Sequence, residues 1–242
     1  MTLLALETAT DVCSVALMQG DRVTVALSLS RPRAHAETLT PMIREALRYG
    51  EVAPRDLDAV AVSAGPGSYT GLRIGVSTAK GLALAADARL VAVPSLEALA
   101  ASVAPLARPG EAVCAVFNAR RNEVYAAVFR VTEQADRLDG VAETTALSLD
   151  DLPAWLPPTT GRLWLVGEGV PRAVSVLQDR FAGEVKPLDP LQFAPSAASV
   201  ARLARHRLAE GRVEDVARFE PFYLKAFVAK KPQSSIFEKL PF

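Results

Sequence analysis

Ser63-Ala64-Gly65-Pro66-Gly67-Ser68-Tyr69-Thr70-Gly71-Leu72-Arg73-Ile74-Gly75-Val76-Ser77-Thr78-Ala79-Lys80-Gly81 is the stretch on which the reading of this chain turns. Residues 59–64 form an apolar run suited to a buried strand, Gly65-Pro66-Gly67 must break it, and small and apolar residues then continue from about Ser68 without a breaker. The pattern predicts strand, glycine turn, helix. The spacing Gly65-x-Gly67-x-x-x-Gly71 is one residue too long for the dinucleotide fingerprint, and Lys80 lacks the preceding glycine that a P-loop requires. Both nucleotide motifs are therefore excluded. Amides from Ser68 to Gly71 at a helix N-terminus make Gly65, Gly67 and Ser68 the candidate contacts for an anion or nucleotide; the alternative is a tight turn with purely conformational glycines. Gly71, Gly75, Ala79 and Ala83 recur every four residues as a smooth helix face, suited either to packing within the domain or to a partner helix.

Upstream, residues 3–6, 12–18 and 22–30 read as a three-strand meander, the last alternating Val23, Val25, Leu27 and Leu29 on one face. The period then becomes helical, with Leu39, Met42, Ile43, Ala46 and Leu47 on one stripe and Gly50 as the stop. Pro41 leaves two starts open: Thr40 as cap, or a bent helix from near His35. Downstream, residues 90–93 form a fifth strand and residues 95–103 a helix capped by Ser95. A boundary at residues 105–110 divides the chain into domains 1–105 and 106–242. The second opens with a hairpin, residues 111–117 and 123–131, adds a strand at 144–149 and another at 163–166, and reaches a second glycine turn, Gly167-Glu168-Gly169. A helix over 171–180 follows, then one opened by Pro195 and stopped by Gly211, and a lysine-dotted tail expected to be ordered only by a partner.

Half of the 242 residues are apolar, enough for two small cores. Formal net charge is zero, which excludes a chain that grips nucleic acid through overall charge. Cys13 and Cys114 fall within predicted strands and read as buried free thiols. The opening apolar run is too short for a signal peptide and longer runs are broken by charges, so the expected location is the cytoplasm, without a membrane span. The two histidines, His35 and His206, are far apart, which leaves no histidine-based metal site. No Gly-x-Ser-x-Gly elbow occurs. Arg202, Arg205, His206, Arg207 and Arg212 gather at the end of the last long helix, either as a phosphate contact or as cations favoured by the helix dipole. Arg120 and Glu123 read as a surface pair worth under about 1 kcal/mol.

The order of elements, seen once fully and once in worn form, resembles the duplicated α/β fold of actin and the sugar kinases, the actin-like ATPase (ASKHA, ribonuclease H-like) fold, here as two domains with a degenerate active site. Five segments sharpen the resemblance: Leu6-Glu7-Thr8-Ala9-Thr10; His35 with Leu39-x-Pro41; Gly65-Pro66-Gly67-Ser68-x-Thr70-Gly71-x-Arg73-x-Gly75; Asn118-Ala119-Arg120 with Glu123-Val124-Tyr125; and Glu220-Pro221-x-Tyr223-Leu224. In this order and spacing they resemble the TsaB (YeaZ-type) family of the bacterial tRNA threonylcarbamoyladenosine machinery over all but the last dozen or so residues.

The resemblance implies a non-catalytic dimerisation and activating subunit for the paralogue TsaD, which transfers a threonylcarbamoyl group to N6 of the adenosine beside the anticodon. TsaE is the further implied partner, tRNA is met only through the complex, and the chain alone would form a homodimer. TsaD carries a metal-binding histidine pair four residues apart where this chain has Ser95 and Leu99, so no metal and no catalytic residues are expected here. Glu7 stands at the acidic position of the ATPase fold, either holding a metal through water or receiving backbone hydrogen bonds at a strand end. Glu168 places a negative charge where a phosphate would come, so no cofactor is required, with at most weak or shared ATP or ADP. Asn118 stands where the family usually shows aspartate. The partner face is expected on His35, Leu39, Met42, Ile43, Arg73, Gly75 and Ser77. A small-molecule kinase or ATPase of the same fold and a metallopeptidase-like enzyme are the alternatives.

Overall fold

The computed structural model describes residues 1–225 apart from 120, 135, 136, 159, 160, 179 and 182. Arg120 and the lysine-dotted tail lie outside the described residues. The first half contains β1 (Thr2–Glu7), β2 (Val12–Gln19), β3 (Arg22–Ser30), α1 (His35–Tyr49), β4 (Ala59–Ser63), α2 (Tyr69–Ala86), β5 (Arg89–Val93) and α3 (Ser95–Ala101). The second repeats it as β6 (Ala112–Asn118), β7 (Glu123–Val131), β8 (Leu138–Ser148), α4 (Leu152–Trp155), β9 (Arg162–Val166), α5 (Val170–Leu177), β10 (Glu184–Pro187) and α6 (Ala197–Ala209).

The two sheets have one topology. The first runs β3-β2-β1-β4-β5 and the second β8-β7-β6-β9-β10, each with an antiparallel meander on one side and parallel strands on the other. This duplication is that of the actin-like fold. Residue patterns account for the edges: β4 is buried along its whole length, as a central parallel strand covered on both faces must be, whereas the edge strand β3 alternates between half-buried and exposed residues.

Each half exchanges its last helix with the other. On one face of the first sheet, Leu4, Leu6, Val15, Val60 and Val62 pack against Leu39, Ile43 and Ala46 of α1 and Val76, Ala79 and Ala83 of α2. Its other face receives Ala197, Val200, Ala201 and Ala204 of α6, a helix from the second half of the sequence. Conversely, Leu96, Leu99 and Ala100 of α3 pack against Val113, Ala115 and Phe117 of the second sheet. Fully burying a leucine contributes about 1.5–3 kcal/mol, so Leu96 and Leu99 alone make the exchange a strong tie between the lobes.

Several ends differ from the sequence reading. Helix α1 starts at His35 and carries Pro41 inside it, with no side-chain cap. Pro94, not Ser95, stands at the N-cap of α3, without a side-chain cap, and the Ser95 hydroxyl accepts from Gly65 N instead. Helix α6 begins two residues after Pro195, capped by Ser196 Oγ accepting from Ala198 N. Strand β8 is longer than expected, since its pairing with β7 extends back to Leu138. Cys13 and Cys114 are buried free thiols, Cys114 pushed up to about 12 by burial.

Candidate functional site

The loop after β1, the glycine turn after β4 and the N-terminus of α2 converge at one end of the first sheet. At Gly65, φ is +111°, a region in which a side chain is strained, and a Cβ there would lie 2.4 Å from the Phe222 carbonyl oxygen. A Cβ on Gly71 would come within 2.1 Å of Thr8 O, and one on Gly75 within 2.1 Å of Thr8 Oγ1. The smooth face of α2 is thus filled within the domain, by the backbone and side chain of Thr8 at one end and by the first-lobe core at Ala79 and Ala83.

The same contacts occupy the expected anion cradle. Ser68 N donates to Ala9 O at 2.6 Å, Gly71 N to the N-capping Ser68 Oγ at 3.2 Å, and Gly65 N to Ser95 Oγ at 3.0 Å. Gly67 lies so close to Ala9 that a Cβ would stand 2.3 Å from its carbonyl oxygen. Gly65, Gly67 and Ser68 are brought together as the sequence suggested, with the amides of Gly65 and Ser68 committed to groups of the chain itself.

Glu7, at the end of β1, is fully buried. Its Oε1 accepts from Ala9 N at 2.6 Å and Ser63 Oγ at 3.1 Å, the strand-end role, while Oε2 finds no partner among the described residues. Desolvation raises its carboxyl to about 7, against the hydrogen bonds that oppose the shift. Ser95 and Leu99, at the positions equated with the paralogue's histidine pair, are both buried: the serine binds Gly65 N, and the leucine packs so that Cδ2 would be 2.8 Å from a Cβ on Gly167. A hydroxyl already in use and an aliphatic side chain make no ligand pair. Among the described residues no group of three or more His, Cys, Asp or Glu is placed to hold a metal.

The second glycine turn repeats the first. At Gly167 φ is +113°, and Gly169 N donates to Val116 O at 3.1 Å. Glu168 Oε1 accepts from the backbone amide of Asn118 at 3.2 Å, so a carboxylate of the chain occupies a donor on this loop. Burial raises the Glu168 carboxyl, the Asn118 amide opposes the shift, and Asp11 adds to it. Asn118 donates Nδ2–H to Glu168 O at 3.1 Å and accepts at Oδ1 from Arg172 Nη1 at 3.2 Å; an aspartate could not make the first bond. Arg172 also donates to Arg121 O at 2.8 Å, a brace that sequence reading missed because nothing in the helical pattern of α5 distinguishes it from a solvated arginine. Glu123, expected to pair with Arg120, is bound by Lys225.

The expected partner face divides. His35 is buried with Nε2 3.3 Å from Val12 O, Leu39 and Ile43 belong to the core under α1, and Gly75 is closed by Thr8. These residues are used within the first lobe, where the sheet beneath takes Leu39, Ile43, Ala46 and Leu47 of the α1 stripe. Met42 is half-buried, while Arg73 and Ser77 are exposed. Leu84, 77 % exposed, continues the Arg73 and Ser77 stripe along α2 at helical spacing and was missed from the sequence. The basic cluster at the end of α6 meets counter-charges: Arg207 pairs with Glu97 of α3 at 2.5 Å, and Arg212, just beyond the helix, with Glu210 at 2.6 Å. No helix among the described residues is long and apolar enough to cross a membrane.

The family described as "TsaD: tRNA N6-adenosine threonylcarbamoyltransferase" matches residues 30–232. The chain is 32% identical over 238 residues to the tRNA threonylcarbamoyladenosine biosynthesis protein TsaB of Escherichia coli K12, covering 96% of this chain and 97% of that one. It is 41% identical over 125 residues to TsaB of Haemophilus influenzae, 52% of each chain. The solved structure of YeaZ from Pseudomonas aeruginosa superposes with a TM-score of 0.80 at 30% identity, covering 92% of this chain and 99% of that one. Full-length coverage at these identities, on a duplicated actin-like fold, means that this chain belongs to the TsaB (YeaZ-type) family of tRNA threonylcarbamoyladenosine biosynthesis proteins.

Proposed function

We propose that this chain is a non-catalytic dimerisation and activating subunit for a TsaD-type threonylcarbamoyltransferase. The observation that carries the reading is self-occupation: Ser95 and Leu99 are used in packing, the Gly65 and Ser68 amides bond to protein groups, and Glu168 binds the Asn118 amide. Such a chain acts by binding one conformation of its partner more tightly than another. The exposed stripe Arg73, Ser77 and Leu84, with Met42 of α1 beside the same helix pair, is the docking face. An unoccupied face of this kind pairs with itself, giving a homodimer that competes with the heterodimer.

In this reading TsaE joins through the assembled pair, tRNA is met through the complex in the cytoplasm, and ATP or ADP is bound weakly or at a shared surface if at all. The test is a light-scattering titration of the purified chain with the TsaD-type protein of its own cell, beside an ATP-turnover assay of each chain alone. A heterodimer with no turnover by this chain is expected. Turnover by the isolated chain that is lost in Glu7→Ala would replace the scaffold reading with an active kinase or ATPase, and metal-dependent peptidase activity would replace it with the metallopeptidase-like enzyme.

A further inference from the structure

Helices α1 and α2 lie side by side over one face of the first sheet, so their outward sides form one surface. Helix α2 carries no aspartate or glutamate anywhere along Tyr69–Ala86. Its exposed side presents Arg73, Ser77, Gly81 and Leu84, and Gly81 has open space where a Cβ would stand. Helix α1 presents Glu37, Arg44 and Arg48, with Glu45 half-buried among them, and the turn leading into it adds Arg31 and Arg33.

The carboxylates of this surface are already taken. Glu37 accepts from Arg31 at 2.5 Å, and Glu45 is shared by Arg48 at 2.8 Å and Arg44 at 3.6 Å. Arg73 donates to the Tyr69 hydroxyl at 3.2 Å, and its guanidinium lies 5.5 Å from that ring's centre. Among the described residues neither Arg33 nor Arg73 meets a carboxylate. Five arginines thus stand against two glutamates here, although the formal net charge of the chain is zero. Lys80 adds a cation, turned to the carbonyls of Ala217 and Phe219, while Glu51 and Asp87 just past the helix ends leave the surplus positive.

Self-pairing about a two-fold axis is isologous, so this patch would meet its own copy and one arginine surplus would face another. A different chain is free to carry the opposite sign, and like charges set against each other are what separates wrong partners from right ones. The centre of the patch fits a protein better than a polyanionic nucleic acid. Leu84, 77 % exposed, and the open backbone at Gly81 offer nothing to a phosphate, but they suit an apolar contact inside a charged rim.

We infer that the α1–α2 face selects by charge: it takes a protein face with an acidic surplus, and its cationic rim disfavours the homodimer. This rests on the docking face proposed above and adds the chemistry of the partner that fits it. The predicted signature is a pair of opposite salt responses, because screening weakens the attraction in one assembly and the repulsion in the other.

The test is a set of light-scattering titrations at about 0.1 and 0.5 M sodium chloride, the screening length being about 10 Å at the lower salt. The heterodimer with the TsaD-type chain should weaken about 5-fold or more at the higher salt, and the homodimer should tighten. Arg44→Glu combined with Arg73→Glu, both at exposed positions, should melt like the parent, bind the TsaD-type chain about 10-fold or more weakly at low salt and pair with itself more tightly. Arg44→Gln with Arg73→Gln removes charge without adding any and should lie between the two. Heterodimer affinity that is indifferent to salt, or unchanged in both double variants, would overturn the inference, as would a parent homodimer that weakens with salt. Binding of tRNA by the isolated parent that is lost in the double variants would assign the surplus to nucleic acid and overturn the acidic-protein reading. No heterodimer at either salt would overturn the docking face itself, and this inference with it.

Discussion

Glu7→Gln should change how stability depends on pH. The parent carboxyl is fully buried and titrates at about 7 rather than 4.5, so the folded chain holds a proton that the unfolded chain has already released. Its contribution is fully present below about pH 4.5 and lost as pH rises through 7, where the buried group ionises. A shift of this size is worth about 3 kcal/mol in total. In a chain of this length that corresponds to roughly 2–4 °C of melting temperature per kcal/mol. The glutamine keeps an acceptor for Ala9 N and cannot ionise, but puts an amide where Oε2 has no partner, a pH-independent cost of about 1–3 kcal/mol. Urea melts at pH 5 and pH 8 should therefore show the parent losing about 2.5 kcal/mol relative to the variant, part of the total being lost already at pH 5. Parallel pH profiles would refute the burial argument, whatever the offset between them.

Gly75→Ala should reverse the usual helix rule: alanine normally gains about 1 kcal/mol over glycine, but its Cβ would lie 2.1 Å from Oγ1 of buried Thr8, and thermal melts should show a net loss of about 1–3 kcal/mol. Ile43→Asp, which the sequence alone presents as a partner-face variant, should fail to fold by circular dichroism, because it sets a charge in the core under α1; Leu84→Asp should melt like the parent and lose the TsaD-type partner. Asn118→Asp should cost about 0.5–1.5 kcal/mol near neutral pH, because it loses the exposed bond to Glu168 O and adds a carboxylate beside another while keeping the bond from Arg172, with the loss shrinking in melts at lower pH.

Much of this architecture can be read in the residues. Alternation in β3, the unbroken apolar run of β4 and the glycine turns are local signals, and each strand of the opening meander forms where its period indicates. The exchange of α3 and α6 is not local: Leu96 and Leu99 repeat like any apolar helix stripe, and nothing in that spacing tells which sheet they will cover. The same gap explains the partner face. Leu39 and Ile43 form a stripe equally suited to a partner and to the sheet beneath, and the sheet takes it. Gly71 and Gly75 advertise a close backbone approach, correctly, but the approaching group is the loop at Thr8 rather than another helix. Ser95 shows a further limit, since a serine beginning a helix signals a cap until tertiary contact with Gly65 claims its hydroxyl. The family resemblance was legible because its five segments are spaced along nearly the whole chain, whereas any single glycine turn would have left the paralogues unseparated.

The scaffold reading meets its most direct test in the rate of threonylcarbamoyl transfer to tRNA by the TsaD-type enzyme, measured against increasing amounts of this chain. The rate should rise with added chain and saturate as the heterodimer fills, with no transfer by this chain alone. A rate indifferent to the chain, or modified tRNA formed without the enzyme, would contradict it.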